Sequence, residues 1–455
     1  MSVFKKLIPA MCMGISCLSL FAEDGDVNVA NSADASSIDE NNIDKYKDGF
    51  LFHEWLEEKL KGKKFLSNFS IGGVIEIDTV AAQQDEKKDD NVAVSSQGHI
   101  DLTYRDICSY GGYGAFVNFR TRSAITKSGS AIVEKGYLFW ESEKFGTFRG
   151  GWVNSAADEF CIDGSDVLVG YQGFGNGYFT AAHTPTSGCI IDSGFFHDDG
   201  KAAKLWWKSP VVRGFSMGLS FTPNARKKNP FYTSTHRTDK DFSAGRTFET
   251  DSIWQENVIT GGLAYEYGLP DKFNMKISLS GWHGKTKCLN GDWTVRNVQG
   301  YNIGVILSYN KFEMALGFTD LGKSALPSTY AEGDTLIYDK NTNYDVKDKH
   351  IGIKPGASAG QIYTAGISYN FGKLACSAGY LYGERKFSGS EKATSNVASF
   401  GVEYKFDKMW SSYIEYDHIT TDTCDRIMVY DKAVDGKAIG NNTSNLYIVG
   451  TKVNI

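Results

Sequence analysis

Between positions 154 and 200 the chain carries Asp158, Glu159, Asp163, Asp166, Asp192, Asp198 and Asp199, and no lysine or arginine. The stretches flanking this segment have the opposite bias. Arg105, Arg120, Arg122, Arg149, Lys204 and Lys208 each sit at the polar positions of an alternating apolar/polar run, as in Asn118-Phe119-Arg120-Thr121-Arg122. One-sided acids facing one-sided bases can set up a transverse field across water, which sorts small solutes by charge and size without a tight binding site. The same residues could instead form an exposed lid whose carboxylates the arginines merely satisfy, and the sequence leaves both readings open. Cys161 and Cys189 lie in the same segment. A bridge would close a loop of 29 residues and stabilise it by about 2–4 kcal/mol. Two unpaired thiols fit the spacing equally well.

No other chemistry is visible. The eight histidines are scattered, and no nucleophile elbow or phosphate loop is present. Gly173-Phe-Gly-Asn-Gly177 follows no strand–helix pattern and reads as loop. Cys376 falls on an apolar strand face, and Cys108, Cys288 and Cys424 lie in turns or loops without metal-site spacing. The expectation is no enzyme, no metal and no cofactor.

The elements that would hold these residues are strands. From Leu66 onward the hydrophobic period is two. Phe215, Met217, Leu219 and Phe221 alternate with Gly and Ser, and Tyr301, Ile303, Val305, Leu307 and Tyr309 alternate with Asn302, Gly304 and Ser308. A soluble sandwich alternates too, but here the hairpins repeat one grammar. Aromatics precede a tight polar turn with Lys, then an apolar residue follows, as at Tyr309-Asn310-Lys311-Phe312 and Tyr369-Asn370-Phe371-Gly372-Lys373-Leu374. Aromatics at one level of successive hairpins form the girdle of a membrane barrel. The count is sixteen strands, at 66–79, 97–107, 112–123, 131–143, 144–153, 201–209, 213–223, 256–268, 271–285, 297–309, 311–321, 360–371, 372–384, 395–406, 408–420 and 444–455. Long and short connections alternate. The expected fold is therefore all-β, a 16-stranded antiparallel transmembrane barrel with short periplasmic turns and long extracellular loops. The third loop, 154–200, folds inward. Sixteen strands leave an aqueous channel rather than a filled core.

Before the barrel, Lys5-Lys6 and the apolar run Leu7–Phe21 have the layout of a secretory signal, cut near Ala22. This divides the chain into a signal peptide (1–22), a periplasmic segment (23–65) with a short helix over 41–62, and the barrel (66–455). Without the signal, 46 basic residues face 54 acidic ones, which argues against a nucleic-acid partner.

Four segments bear a family likeness: Phe145-Gly-Thr-Phe-Arg-Gly-Gly-Trp152, Lys204-Leu-Trp-Trp-Lys-Ser-Pro210, Arg213-Gly-Phe-Ser-Met-Gly-Leu-Ser-Phe-Thr-Pro223 and Tyr447-Ile-Val-Gly-Thr-Lys-Val-Asn-Ile455. With them the chain resembles the Gram-negative trimeric porins, especially alphaproteobacterial-like general diffusion porins, over roughly 66–455. The resemblance implies an outer-membrane homotrimer with the third loop as constriction. It also implies that Asp158, Glu159 and Asp163 lie near the eyelet, opposite Arg105, Arg120 and Arg149. The chain departs from the family at Ile455, where Phe is usual. Asp158-Glu159-Phe160 only partly echoes the usual loop tip, and the 41–62 helix is extra. Expected partners are outer-membrane lipid and lipopolysaccharide, ions and small hydrophilic solutes. The function implied is passive diffusion through a water-filled channel. The alternatives are a sugar- or anion-specific channel, a plugged transporter of hydrophobic substrates, or a structural or adhesive surface barrel.

Overall fold

The computed structural model describes residues 68–85, 92–123, 130–175, 190, 202–225, 253–269, 273–288, 296–324, 358–386, 392–422 and 441–455. The expected signal peptide and the 41–62 helix lie outside these residues, as do Asp192, Asp198, Asp199 and Cys189.

Sixteen strands close into one antiparallel barrel. They are β1 (Phe69–Gln84), β2 (Val92–Cys108), β3 (Gly111–Ser123), β4 (Ser130–Ser142), β5 (Gly146–Trp152), β6 (Ala203–Lys208), β7 (Phe215–Asn224) and β8 (Ile253–Leu269). The second half comprises β9 (Phe273–Cys288), β10 (Val298–Tyr309), β11 (Phe312–Asp320), β12 (Ser358–Asn370), β13 (Leu374–Lys386), β14 (Lys392–Lys405), β15 (Trp410–Asp422) and β16 (Asn441–Asn454). Each strand pairs with its sequence neighbour, and β1 closes the ring on β16 from Val74↔Asn454 to Gln84↔Ser444. Closure satisfies every edge, which a sheet in lipid requires.

The alternation is inverted relative to a soluble sandwich. On β7, Phe215, Met217, Leu219 and Phe221 are exposed, whereas Ser216, Ser220 and Thr222 are buried. The same holds on β10, where Ile303 is exposed and Asn302 is fully buried. Apolar side chains outside and polar side chains inside are the arrangement a lipid-facing barrel needs. Aromatic rows bound the apolar band at both ends. At the short-turn end stand Tyr369, Phe371, Tyr404, Phe406 and Trp410, with neighbouring ring centroids 4.5–5.1 Å apart. At the other end Tyr301, Phe318, Tyr363 and Tyr382 run across β10–β13, with neighbouring centroids 6.0, 4.9 and 6.1 Å apart. On β10, Tyr301 and Tyr309 are eight residues apart. That is about 26 Å along the strand at ~3.3 Å per residue, a rise of roughly 20 Å once tilted.

The short turns use residues able to adopt positive φ. Asn310 reverses β10 into β11 at φ 55°, and Gly372 turns β12 into β13 at φ 101°. At the opposite end several strands run further than their hydrophobic pattern indicates. β1 reaches Gln84, β2 begins at Val92, β9 reaches Cys288 and β14 begins at Lys392. Parts of the expected loops 80–96, 286–296, 385–394 and 421–443 are therefore strand. These extensions, such as Thr286-Lys-Cys288, rise past the aromatic row, where no lipid imposes an apolar face. Pairing continues there without alternation.

Candidate pore constriction

The segment after β5 runs inside the barrel. Ser155 caps a short helix, α1 (Ala156–Phe160), its side-chain oxygen accepting from the Asp158 N–H at 3.1 Å. A 3-10 turn follows at Gly164–Val167. There Asp163 accepts from the Ser165 N–H at 2.6 Å, and Asp166 accepts from the Asp163 N–H at 2.9 Å, a reciprocal capping box. A second 3-10 turn spans Gly173–Gly175.

Inward-facing polar side chains staple this segment to the wall, strand after strand. The Ala156 N–H donates to Ser220 Oγ on β7 (3.0 Å), and the Ala157 N–H to Thr260 Oγ1 on β8 (3.3 Å). The Ile162 N–H donates to Asn302 Oδ1 on β10 at 3.2 Å, while Asn302 Nδ2 donates back to the Ile162 carbonyl at 3.1 Å. Further along, the Gly164 N–H reaches Thr364 on β12 (2.8 Å) and the Val169 N–H reaches Ser377 on β13 (3.0 Å). The Gly173 N–H reaches Glu415 on β15 (3.1 Å), and Lys452 on β16 donates to the Gly170 carbonyl. Loop backbone cannot be buried without such partners.

Glycines beneath the loop make room for it. A Cβ at Gly262 would overlap Phe160, and one at Gly304 would overlap Ile162. At Gly366 a Cβ would meet the Gly164 carbonyl oxygen, and at Gly379 it would meet Leu168 and Phe174. The glycines of the polar strand faces thus form a track along which the loop lies. Above the track Leu168, Tyr171, Phe174 and Ile190 pack on inward apolar residues of β12–β16, including Ile362, Leu381, Val397, Ile419 and Leu446. Each of these buried side chains contributes about 1.5–3 kcal/mol.

Phe160, Ile162, Gly164, Val167 and Leu168 are buried against the wall, and Asp158, Glu159, Asp163 and Asp166 lie on the more open side. The less buried edge of the described segment is therefore its acidic one. Glu159 is held by two of the expected cations. Arg149 Nη1 stands 3.3 Å from its carboxylate and Lys208 Nζ 2.8 Å. Arg149 also stacks 4.0 Å over Trp206. Both cations lie on the side where the loop begins, so Arg149 is not opposite the loop, as the resemblance implied.

The remaining cations separate. Lys204 is buried beneath the loop start and donates to the Val153 carbonyl at 2.8 Å. It anchors the loop instead of lining the aperture, because β6 is covered there by the loop. Arg105 sits close to the β2–β3 turn, paired with Glu141 at 2.7 Å, well away from the loop. Arg120 does belong to the uncovered wall, pairing with Glu134 at 2.9 Å and meeting Gln97 at 3.3 Å. His99, Asp101 and Asn118 lie beside it, so this wall carries both signs. Arg122 falls on β3, but its side chain lies outside the described residues.

A set of wall carboxylates was missed by sequence reasoning. Glu76 and Asp78 on β1 and Glu415 and Asp417 on β15 are buried where the loop lands, with Tyr413 donating to Glu76 at 2.8 Å and to Asp78. Lys452 lies 3.3 Å from Glu76. The signal was present, since each pair occupies alternate positions on the inward face, Glu-x-Asp, where lipid-facing positions hold Ile and Tyr.

Among the described residues Cys161 stands as a free thiol, and Cys189, the other half of the expected bridge, lies outside them. Burial pushes the Cys161 pKa well up, with Asp163, Asp166 and Asp158 adding to the effect. In the folded, unreduced protein Cys161 should therefore resist a thiolate-selective reagent that modifies the exposed Cys108. Per-site mass spectrometry checks this, and equal modification of the two would contradict the buried placement. Enclosure by the barrel pushes the Asp166 carboxyl up to about 6, Asp163 pushing the same way, although its edge is open to the lumen. The raised value means that Asp166 gains its proton as pH falls through about 6. Cation preference should thus decline between about pH 7.5 and about pH 5, and Asp166→Asn should remove most of that dependence. Reversal potentials measured at the two pH values test it, and an identical slope in the variant would refute the assignment.

A model of the Gram-negative porin family matches residues 30–423. The chain belongs to the Gram-negative porin family. That membership and the closed lipid-facing barrel put the protein in the outer membrane. Among curated proteins it is similar to an uncharacterized protein of Rickettsia prowazekii, 25% identical over 250 residues, which is 48% of this chain and 50% of the relative. Another, from Rickettsia bellii, is 24% identical over 280 residues, 55% of this chain and 56% of that protein. The porin chain spans about half the length of the curated relatives it matches. Among solved structures, Salmonella typhi OmpF in complex with daunomycin shares the fold, with a TM-score of 0.51 at 12% identity over 85% of this chain and 97% of that one. The trimer form of Vibrio cholerae OmpT aligns over 85% of this chain and 99% of that one, at 12% identity and TM-score 0.47.

Proposed function

We propose that this porin forms a water-filled channel through which ions and small hydrophilic solutes diffuse passively. Size and charge selection would be set where the loop narrows the lumen. The observation that carries this reading is the placement of the loop. It is stapled along the walls of β7–β16 with its acidic edge inward, facing a separate wall on β2–β4 whose charged side chains keep contact with solvent. Solutes would pass between these two polar surfaces. Mixed charge on the uncovered wall beside an acidic loop favours weak cation preference over a dedicated anion path. As a porin the chain would work as a homotrimer, released into the periplasm by cleavage near Ala22.

Swelling of proteoliposomes in isotonic sugar solutions tests the proposal. Permeation should be rapid for monosaccharides and fall steeply with solute size, without saturation at high concentration. Saturable uptake of one sugar would point to a specific channel, and a folded barrel that passes no solute would overturn the reading.

A further inference from the structure

The rim at the short-turn end is uneven. Across β10–β15 its turn tips are polar, with Asn310-Lys311, Gly372-Lys373 and Asp407-Lys408 all exposed. Across β2–β7 three consecutive turns carry apolar tips. Ile107 and Tyr110 stand at the β2–β3 turn and Val211 and Val212 at the β6–β7 turn, all four 60–80% exposed. Phe145 lies half-exposed on the β4–β5 turn between them. These side chains sit at or beyond the aromatic pairs Phe69–Tyr104 and Phe215–Tyr265, with centroids 5.0 and 4.5 Å apart, that edge the lipid band. Short turns of an outer-membrane barrel meet water, and an apolar patch left in water marks an interaction surface.

The segment that precedes the barrel starts from this patch. Phe69 opens β1 opposite Tyr104. Asp106, one residue before Ile107, accepts from the side chain of Asn68 and from the Tyr113 hydroxyl, the latter at 3.2 Å. The chain therefore leaves the barrel beside Ile107 and Tyr110. Within the expected 41–62 helix, Ile43, Tyr46, Phe50, Leu56 and Leu60 share one face at helical period. Such a helix is about 33 Å long at ~1.5 Å per residue. The β2–β3 and β6–β7 turns are four strands apart, roughly 25 Å along a rim of tilted strands spaced ~4.8 Å. The helix is thus long enough to cover all three turns, with residues 63–67 as its link to the barrel. Charge sets its direction. Lys59, Lys61, Lys63 and Lys64 at its end fall towards Asp106, and Asp44 at its start falls towards the exposed Arg213. We propose that residues 41–62 dock as an amphipathic helix across the short-turn rim of their own barrel, with the apolar face on Ile107, Phe145, Val211 and Val212.

The test is oxidative cross-linking of the refolded full-length chain, in which Cys108→Ser removes the exposed thiol of the patch. Ile43→Cys is combined either with Val212→Cys or with Lys408→Cys on the β14–β15 turn. Around the ring the β14–β15 turn is two to three strands from β1 and the β6–β7 turn five to six, so an undocked tether reaches position 408 more readily. The docked helix should instead link 43 to 212 about tenfold more often than 43 to 408, docking having raised the effective concentration at one turn only. Linkage at 212 no more frequent than at 408 would overturn the proposal. Linkage between two chains, read as a doubled mass, would assign the patch to a second copy and overturn it as well. A second measurement leaves the segment unaltered. V211D/V212D should speed tryptic cleavage at Lys59–Lys64 by about tenfold, since cleavage follows the undocked population. Heat-modifiable gel migration should not change, because both valines lie outside the sixteen strands. An unchanged cleavage rate in an intact barrel would also overturn the docking. Neither measurement depends on what crosses the lumen.

Discussion

Glu159→Gln should shift the pore towards anions by about fourfold in the cation-to-anion permeability ratio. Glu159 is paired with two wall cations, Arg149 and Lys208. Its removal takes one negative charge from the lumen edge and leaves both cations uncompensated. A unit charge acts on a passing ion at ~6 Å with about 0.7 kcal/mol in water, and 0.1 M salt reduces this to roughly 0.4 kcal/mol. The effect has opposite sign for cation and anion, so the difference is about 0.8 kcal/mol, or a factor near four. The fold should tolerate the change. Side chains at this site keep a quarter to a third of their surface in solvent, and such exposed pairs contribute only about 0–1 kcal/mol. Arg149 also remains stacked on Trp206. Reversal potentials in a salt gradient measure the shift. An unchanged ratio would mean that Glu159 lies off the conduction path.

The second large effect is expected from filling the glycine track. The double variant Gly304→Val/Gly366→Val places side-chain atoms where the Ile162 and Gly164 backbone carbonyls now sit. Barrel strands are held on both sides by continuous pairing, so the loop must yield. It would lift into the lumen and weaken its hydrogen bonds to Asn302 and Thr364. Overpacking of this kind costs about 1–3 kcal/mol per site, so thermal unfolding should come at lower temperature. The narrowed aperture should pass on the order of half the unitary current. Gly72→Val is the control, because Gly72 has only the Ile455 carbonyl oxygen within 4 Å of an added Cβ, at 3.8 Å, and no loop atom. If the double variant conducts like the unaltered protein, the loop does not lie where the glycines place it.

These two effects rest on different kinds of legibility. The barrel could be read because lipid enforces a strict alternation over the apolar band, so Phe215-x-Met217-x-Leu219-x-Phe221 announces both strand and outward face. Strand ends beyond the band could not be read, since Thr286-Lys-Cys288 pairs without an apolar face. The acidic loop edge was visible as a charge bias. Which of the candidate cations meet it was not, because alternation gives the face of a strand but not its height or what covers it. Lys204, Arg105 and Arg120 share a parity rule, yet one is buried under the loop, one sits near a turn and one lines the open wall. The glycines and small polar residues Ser220, Thr260, Asn302, Thr364 and Ser377 looked like ordinary lumen lining. Only the loop's path shows them to be its seat.

Single-channel recording of the purified, refolded protein in a planar bilayer tests the central claim most directly. Unitary steps should appear in groups of three and show weak cation preference, as expected of a trimer of water-filled barrels narrowed by an acidic loop edge. A correctly folded barrel that inserts without conducting would contradict the account, because the loop would then close the lumen instead of shaping it.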